Sequence, residues 1–241
     1  MKGKTRAVNF WKIRIEPYLV DSARYKNKLM QKEEKMFADN RNRKYYEQKM
    51  EIAKRVVDKI KCIPWIAMIG LTGSVATEWP KEDDDIDFII ICHNNRLWLC
   101  RMVLLIRLNF SSFKVRSFFK NEKNSLCFNL WLEENSMKIE KSRRGLLTAL
   151  EILWMKPMLY RMNFYKNFLI ANKWIIKYIK IDTKGKLNRL PKKRNVLLDD
   201  LNRALYLLQY MYMKRKIKKE IVSYNKAYFH PRGRMRFDRI S

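Results

Sequence analysis

The chain has 241 residues and a mass of 29.4 kDa, and 47% of its residues are hydrophobic, which allows a sizeable buried core and excludes a disordered protein. Its 53 Lys and Arg against 24 Asp and Glu give a formal net charge of +29, which predicts attraction to RNA or another polyanion. The 4 cysteines include no CxxC pair and there are only 2 histidines, which argues against structural zinc and a disulfide framework.

Neither a membrane span nor a secretion signal is predicted. The longest apolar stretch, Leu97 to Leu108, contains Arg101 and Arg107 and is much shorter than a bilayer crossing requires. The N-terminal segment, Met1 to Val20, mixes its apolar residues with charged ones, unlike a signal peptide. We therefore expect a cytoplasmic protein that makes no membrane contact.

Residues 1–60 are predicted to form an N-terminal helical region, with helix from about Ser22 to Ile60. In its second half, apolar residues recur at three- and four-residue intervals: Tyr46, Met50, Ala53, Val57 and Ile60. Such a stripe predicts a helix that packs against the sheet formed by the residues after it.

Residues 61–140 are predicted to form the core, a small mixed β-sheet with helices on one side. The helix predicted within it is Arg96 to Leu108. Runs of β-branched and aromatic residues predict its strands: Ile63 to Leu71, Ile86 to Cys92, Phe113 to Phe119 and Leu126 to Leu132. The fold class expected is α+β.

Polar residues fill the connection between the first two predicted strands. Thr72, Gly73 and Ser74 form a turn into a short helix, and Asp85 and Asp87 lie where the second strand begins. Because side chains alternate along a strand, both carboxylates project to the same side. Two carboxylates this close repel each other, and bound Mg²⁺ relieves that repulsion. The pattern predicts a site for metal and nucleotide phosphate.

This motif resembles the signature of the polymerase-beta-like nucleotidyltransferase superfamily: a Gly-Ser turn, residues 75–84 between, then Asp85-Ile86-Asp87. The superfamily includes CCA-adding enzymes, poly(A) polymerases, antibiotic nucleotidyltransferases and minimal nucleotidyltransferase antitoxins. The resemblance implies that Thr72, Gly73 and Ser74 bind the phosphates of a nucleoside triphosphate (NTP), and that Asp85 and Asp87 ligate two Mg²⁺ ions. It further implies transfer of a nucleoside monophosphate to an acceptor.

Residues 60–180 also resemble a bacterial group of nucleotidyltransferase-domain proteins. Three short motifs carry this second resemblance: Leu97-Trp98-Leu99, Asn129-Leu130-Trp131-Leu132 and Lys156-Pro157.

The resemblance assigns a third carboxylate to a later strand, and this chain has Asn129 at that position. Asn129 is expected to share a strand face with Cys127 and Trp131. An amide orients a hydroxyl or a water but accepts no proton as a base. Three alternatives stay open: an acid supplied by Glu133, Glu134 or Asp84, an acceptor that needs no base, or nucleotide binding without turnover.

Residues 141–224 are predicted to form a helical C-terminal region, and residues 225–241 a basic tail. Apolar residues at helical spacing predict three helices: Gly145 to Lys156, Phe164 to Ile179 and Val196 to Lys219. Thr183 to Asn195 resembles a linker.

Two functions are compatible with the sequence. The first is an Mg²⁺-dependent nucleotidyltransferase with Asp85, Asp87 and Asn129 at its catalytic centre. The alternative is a non-catalytic nucleotide- or RNA-binding module, such as an antitoxin of a toxin-antitoxin pair. Basic clusters at Lys192 to Arg194, Lys214 to Lys219 and Arg232 to Arg239 support RNA binding. Dispersal of the other basic residues favours general basicity instead.

Overall fold

The computed structural model describes residues 40–116, 123–178, 195–217 and 220–229. The strands in these ranges are β1 (Ile66–Thr72), β2 (Ile86–Cys92), β3 (Leu126–Glu133), β4 (Lys156–Tyr160), β5 (Ile221–Ser223) and β6 (Lys226–Tyr228). The α-helices are α1 (Asn40–Ile60), α2 (Gly73–Ala76), α3 (Leu97–Asn109), α4 (Leu146–Trp154), α5 (Phe164–Ala171) and α6 (Val196–Lys214). Short 3-10 helices occur at Glu134–Ser136, Lys141–Arg143 and Lys173–Lys177.

The strands form one mixed sheet in the order β4-β1-β2-β3-β6-β5. Strands β2 and β3 run parallel, and the other neighbouring pairs run antiparallel. The predicted α+β class, with flanking helices, is confirmed. No helix among the described residues is long and apolar enough to cross a membrane.

Helices cover both faces of the sheet, and those on the second face, α4 and α5, come from beyond the predicted core of residues 61–140. Ile86, Phe88 and Ile90 of β2 pack in one apolar cluster with residues of α1, α3 and α6. Ile89 and Ile91 pack in a second cluster with residues of α4 and α5. Because β2 carries apolar side chains on both of its faces, both faces have to be buried against other elements.

The C-terminal region contains strands as well as helices. The predicted helix Gly145 to Lys156 ends at Trp154, and the chain continues as β4 at the edge of the sheet. Pro157 is compatible with this position because an edge strand leaves some N–H groups unpaired. Strand β6 lies in the predicted basic tail and pairs with β3, so the sheet extends beyond the predicted core limits of 61–140.

Several predictions fall wholly or partly outside the described residues. Of the predicted helix Ser22 to Ile60, the structure describes residues from Asn40 onward. The predicted strand Phe113 to Phe119 is described only to residue 116, where Val115 makes a single bridge to Leu126. The predicted linker and most of the three basic clusters are also outside these ranges.

Candidate functional site

The site lies at the end of β1 and the start of β2. Asp87 is paired with Thr72 of β1 and with Cys127 of β3. It projects from the same face of the sheet as Ile89 and Ile91, the face that α4 and α5 cover. Asp85 precedes it by two residues, and its side chain is 17% exposed. The structure therefore brings both predicted acids to the same end of the sheet, next to the predicted turn.

Gly73 lies so close to the carboxylate of Asp87 that a side chain at this position would force that carboxylate to move. Its φ of +68° lies in the left-handed region, which side chains disfavour. A Cβ at this position would lie 2.3 Å from Asp87 Oδ2. The turn and the acidic strand are thus packed against each other without a gap.

The residues on either side of Gly73 hold the turn in place. The Thr72 hydroxyl donates to the Asp87 carbonyl at 3.5 Å. The Ser74 carbonyl accepts from the Trp79 amide at 2.9 Å and from the Thr77 hydroxyl at 3.0 Å. These bonds use the backbone carbonyl of Ser74, and this residue is half-exposed.

Asn129 belongs to the site. Its Nδ2 donates to Asp87 Oδ1 at 2.6 Å, and its Oδ1 accepts from the Cys127 thiol at 2.7 Å. The Phe229 amide, just after β6, donates to the Asn129 carbonyl at 2.9 Å. The position predicted for a third acid is therefore occupied by an amide bonded directly to the second acid.

A bulge at Asn129 changes the predicted side-chain directions in β3. Phe88 is paired with Phe128 but the next residue, Ile89, is paired with Leu130, so Asn129 is the extra residue. Beyond it the alternation reverses, and Trp131 packs with the α3 and α6 cluster. The prediction that Trp131 shares a face with Asn129 is wrong for this reason.

Glu133 does not reach the site. It is fully buried, and its Oε1 accepts from the backbone amides of Arg96 at 3.0 Å and Leu97 at 3.2 Å, at the start of α3. Burial raises the pKa of its carboxyl, and these backbone hydrogen bonds partly oppose the rise. Glu133 therefore caps α3, and its carboxylate is used there rather than beside Asp87.

The other two alternative acids are also engaged elsewhere. Glu134 lies 3.8 Å from the His93 ring. Asp84 Oδ2 accepts from the Lys81 amide at 2.9 Å, and its carbonyl accepts from Lys49 Nζ at 2.6 Å. Lys49, only 1% exposed, thereby secures the acidic loop that leads into Asp85.

The charges of the two acids are partly compensated within the protein. Burial raises the pKa of Asp87 to about 6, and the negative charge of Asp85 adds to the rise. The Asn129 hydrogen bond and the positive charge of Arg116 oppose it. Arg116 forms an ion pair with Asp85. The ionised form of Asp87 is thus destabilised in this site, as expected for a carboxylate that binds a cation.

A further acid, Glu151 of α4, faces this region and was not predicted. Met155, which directly follows α4, lies against Gly70 of β1, on the sheet face from which Asp87 projects. Burial, together with the negative charge of Asp87, raises the pKa of Glu151 to about 8. Glu151 is the single charged residue of α4, an acid within an otherwise apolar helix, and that pattern was the available signal.

The nature of the donors suits Mg²⁺ that a nucleotide brings with it. Among the described residues, no group of three or more His, Cys, Asp or Glu side chains could hold a metal ion by itself. Mg²⁺ is usually held by one or two carboxylates, with phosphate oxygens and water completing its shell. Asp85 and Asp87 are two such carboxylates, and the turn at Gly73 lies directly against Asp87.

A buried lysine lies close to the turn. Lys156 of β4 is paired with Leu71, the residue before Thr72. Its Nζ donates to the Tyr46 hydroxyl at 2.9 Å and to Glu78, in the loop after α2. The Lys156-Pro157 motif therefore brings a cation close to the turn that follows β1.

Comparisons with known proteins assign no family to the chain. No protein-family model matches the sequence, and no curated protein matches it either. A solved structure, the crystal structure of a toxin-antitoxin with AMP-PNP, is similar at 12% identity, covering 68% of this chain and 94% of that chain. Its TM-score is 0.25, which is too low to indicate a shared fold.

Proposed function

We propose that this protein is a nucleotidyltransferase of the polymerase-beta-like type, which binds an NTP with Mg²⁺ and transfers a nucleoside monophosphate to an acceptor. The observation that carries the proposal is the contact of Gly73 with Asp87, with Asp85 and Asn129 beside it. A glycine turn packed on a carboxylate pair lets the backbone approach a phosphate where two carboxylates are available to hold Mg²⁺.

In this proposal Asp85 and Asp87 hold Mg²⁺, while Thr72, Gly73 and Ser74 hold the β- and γ-phosphates. An ion held by Asp85 and Asp87 would supply stabilisation of the negative charge that develops on the attacking and leaving oxygens. An acceptor oxygen forms a bond to the α-phosphorus, the bond from that phosphorus to the bridging oxygen breaks, and pyrophosphate leaves. Arg116 is close enough to Asp85 to contact a phosphate oxygen once the ion pair opens.

The proton of the acceptor hydroxyl needs a base, and Asn129 is not one. We assign this role to Glu151, because it lies on the covered face of the site and interacts electrostatically with Asp87. A carboxyl with a pKa of about 8 is partly ionised at neutral pH and accepts a proton readily. Asn129 then orients Asp87 through its hydrogen bond.

A second function is supported by the internal partners of the two acids. Arg116 is paired with Asp85, and Asn129 is bonded to Asp87, so both carboxylates are stabilised without a metal. This arrangement favours a non-catalytic nucleotide- or RNA-binding module, of which an antitoxin is one kind. The formal net charge of +29 supports RNA as its ligand.

Label transfer from NTPs labelled at the α-phosphate distinguishes the two functions. Each NTP is incubated with Mg²⁺, total RNA and a small-molecule extract, using wild type, Asp85→Asn/Asp87→Asn and the matched control Asp83→Asn. Asp83 is an exposed acid of the same loop. Transfer by wild type and Asp83→Asn but not by the double variant supports the enzyme. Mg²⁺-dependent NTP binding without transfer supports the binding module, and absence of both contradicts the proposed site.

A further inference from the structure

Helix α6 is firmly oriented by polar contacts on its inner face. Asn202 Oδ1 accepts from the backbone amides of Trp98 and Leu99 of α3, both at 3.0 Å. Gln209, seven residues later, donates to the Trp98 carbonyl at 3.0 Å. Met213 is 1% exposed in the apolar cluster. One face of α6 is therefore fixed against α3, and the opposite face is directed outward.

That outward face is strongly apolar. Large hydrophobic side chains are between 44% and 78% exposed there: Val196, Leu197, Leu201, Leu207, Leu208, Met211 and Tyr212. Monomeric proteins rarely leave so many large apolar side chains together on a helix. This outer face of α6, the residues just given together with Ala204, is called the α6 stripe below.

The centre of the α6 stripe follows the spacing of a coiled coil. Leu197, Leu201, Ala204, Leu208 and Met211 succeed one another at alternating intervals of four and three residues. All five are exposed. A helix with this period presents a straight seam to a second helix and packs with it side by side.

Charges at the edge of the α6 stripe select the orientation of that second helix. Asp200 and Lys214 are exposed and two heptads apart, so they lie on the same edge of the seam. In an antiparallel pair of α6 helices, Asp200 of one copy meets Lys214 of the other at both ends. In a parallel pair, Asp200 would instead lie opposite Leu205 of the other copy, and this ion pair would be lost. Leu207, midway between them, then lies next to the two-fold axis.

We propose that two copies of this chain associate through their α6 stripes in antiparallel orientation, about a two-fold axis close to Leu207. The surface is self-complementary, as an interface between identical partners has to be. The proposal concerns a face built by α6 and α3 and is independent of the nucleotide site. Either can fail while the other holds.

The formal net charge of +29 gives this association a characteristic salt dependence. Two such chains repel each other at low salt, and added salt screens that repulsion while leaving apolar burial intact. Dimer formation should therefore strengthen between about 0.1 and 0.5 M NaCl. Association bridged by bound RNA would weaken over the same range, because phosphate contacts are lost with salt.

Sedimentation velocity of the nuclease-treated full chain tests the interface. Wild type is expected to be dimeric at 0.5 M NaCl, and Leu201→Glu/Leu208→Glu monomeric. Met162→Glu is the matched control, since Met162 is 69% exposed on a different part of the surface. A monomeric wild type at 0.5 M NaCl, or a dimer that survives the double substitution, overturns the proposal. Equal helix content of the three proteins by circular dichroism shows that the helix itself is intact.

A charge exchange tests the antiparallel orientation. Asp200→Lys and Lys214→Asp, each alone, set like charges against each other twice and should weaken the dimer at least about threefold. The double exchange, Asp200→Lys/Lys214→Asp, restores opposite charges and should recover the wild-type dissociation constant. Failure of the double exchange to recover it overturns the antiparallel arrangement.

Discussion

Substitution of Gly73 by Ala tests the contact on which the proposed site depends. Left-handed backbone costs a residue with a side chain roughly 1–2 kcal/mol. The added Cβ would lie 2.3 Å from Asp87 Oδ2, so this carboxylate has to move. Moving it weakens its hydrogen bond to Asn129, at about 1 kcal/mol or more. We expect Gly73→Ala to lower the free energy of unfolding by roughly 2–4 kcal/mol.

Thermal unfolding measures this loss. For a chain of this length, each kcal/mol lowers the midpoint by about 2–4 °C, so Gly73→Ala should unfold roughly 5–15 °C below wild type. Adding Mg²⁺ and an NTP should raise the midpoint of wild type but not of Gly73→Ala, because ligand binding to the folded state stabilises it.

Gly145→Ala is the matched control for Gly73→Ala. Gly145 has an extended φ of −175°, and a Cβ there would meet no atom within 4 Å. Its unfolding free energy should change by less than about 0.5 kcal/mol. If both variants unfold at the same temperature and both respond to Mg²⁺ with NTP, the turn is not the tight contact described and the reasoning is refuted.

Three further predictions concern the acids. Because the pKa of Asp87 is about 6 in the folded chain against a reference of 3.8, folding favours its protonated form. Asp87 therefore contributes about 2–3 kcal/mol to the free energy of unfolding below about pH 4, and this contribution is lost as the pH rises to about 6. Urea unfolding at pH 4 and pH 7 without Mg²⁺ should show a loss of stability that is smaller in Asp87→Asn than in wild type by this amount, because buried Glu151 contributes to the loss in both proteins. Asn129→Asp adds a like charge beside Asp87, so it should lower the unfolding temperature without Mg²⁺ and increase the gain on adding Mg²⁺; an unchanged response to Mg²⁺ would contradict the site. Glu151→Gln should lower label transfer by about 10²-fold or more while NTP binding persists, and retained transfer would exclude Glu151 as the base.

Local features of the site could be predicted from the sequence because few residues determine them. Strand β2 begins and ends at the predicted residues, since the run from Ile86 to Cys92 is apolar except for Asp87 and is bounded by polar residues. The turn at Gly73 follows β1 directly, and alternation in β2 places Asp85 and Asp87 on one side. Proximity of turn and acids therefore follows from strand-turn-strand order alone. The nucleotide, the metal and the activity stay predictions.

Features that depend on distant pairing could not be predicted. The bulge at Asn129 exists in the register of β3 against β2, and neither strand alone carries a signal for it. Strands β5 and β6 have 3 residues each, too few for a period to be detected. Glu151 was missed because its position beside the site follows from how α4 packs on β1, which α4 by itself does not reveal.

The order of the strands has a consequence for how the site can form during folding. Strand β1 is completed on its outer side by β4, and β3 by β6, whose residues lie far along the chain. Phe229 contacts Asn129 directly. A fragment limited to residues 61–140 would leave β1 and β3 with unpaired edges, which favour aggregation. Closing contacts over such separations is slow, so the site is assembled among the last events of folding rather than by an independently folding core.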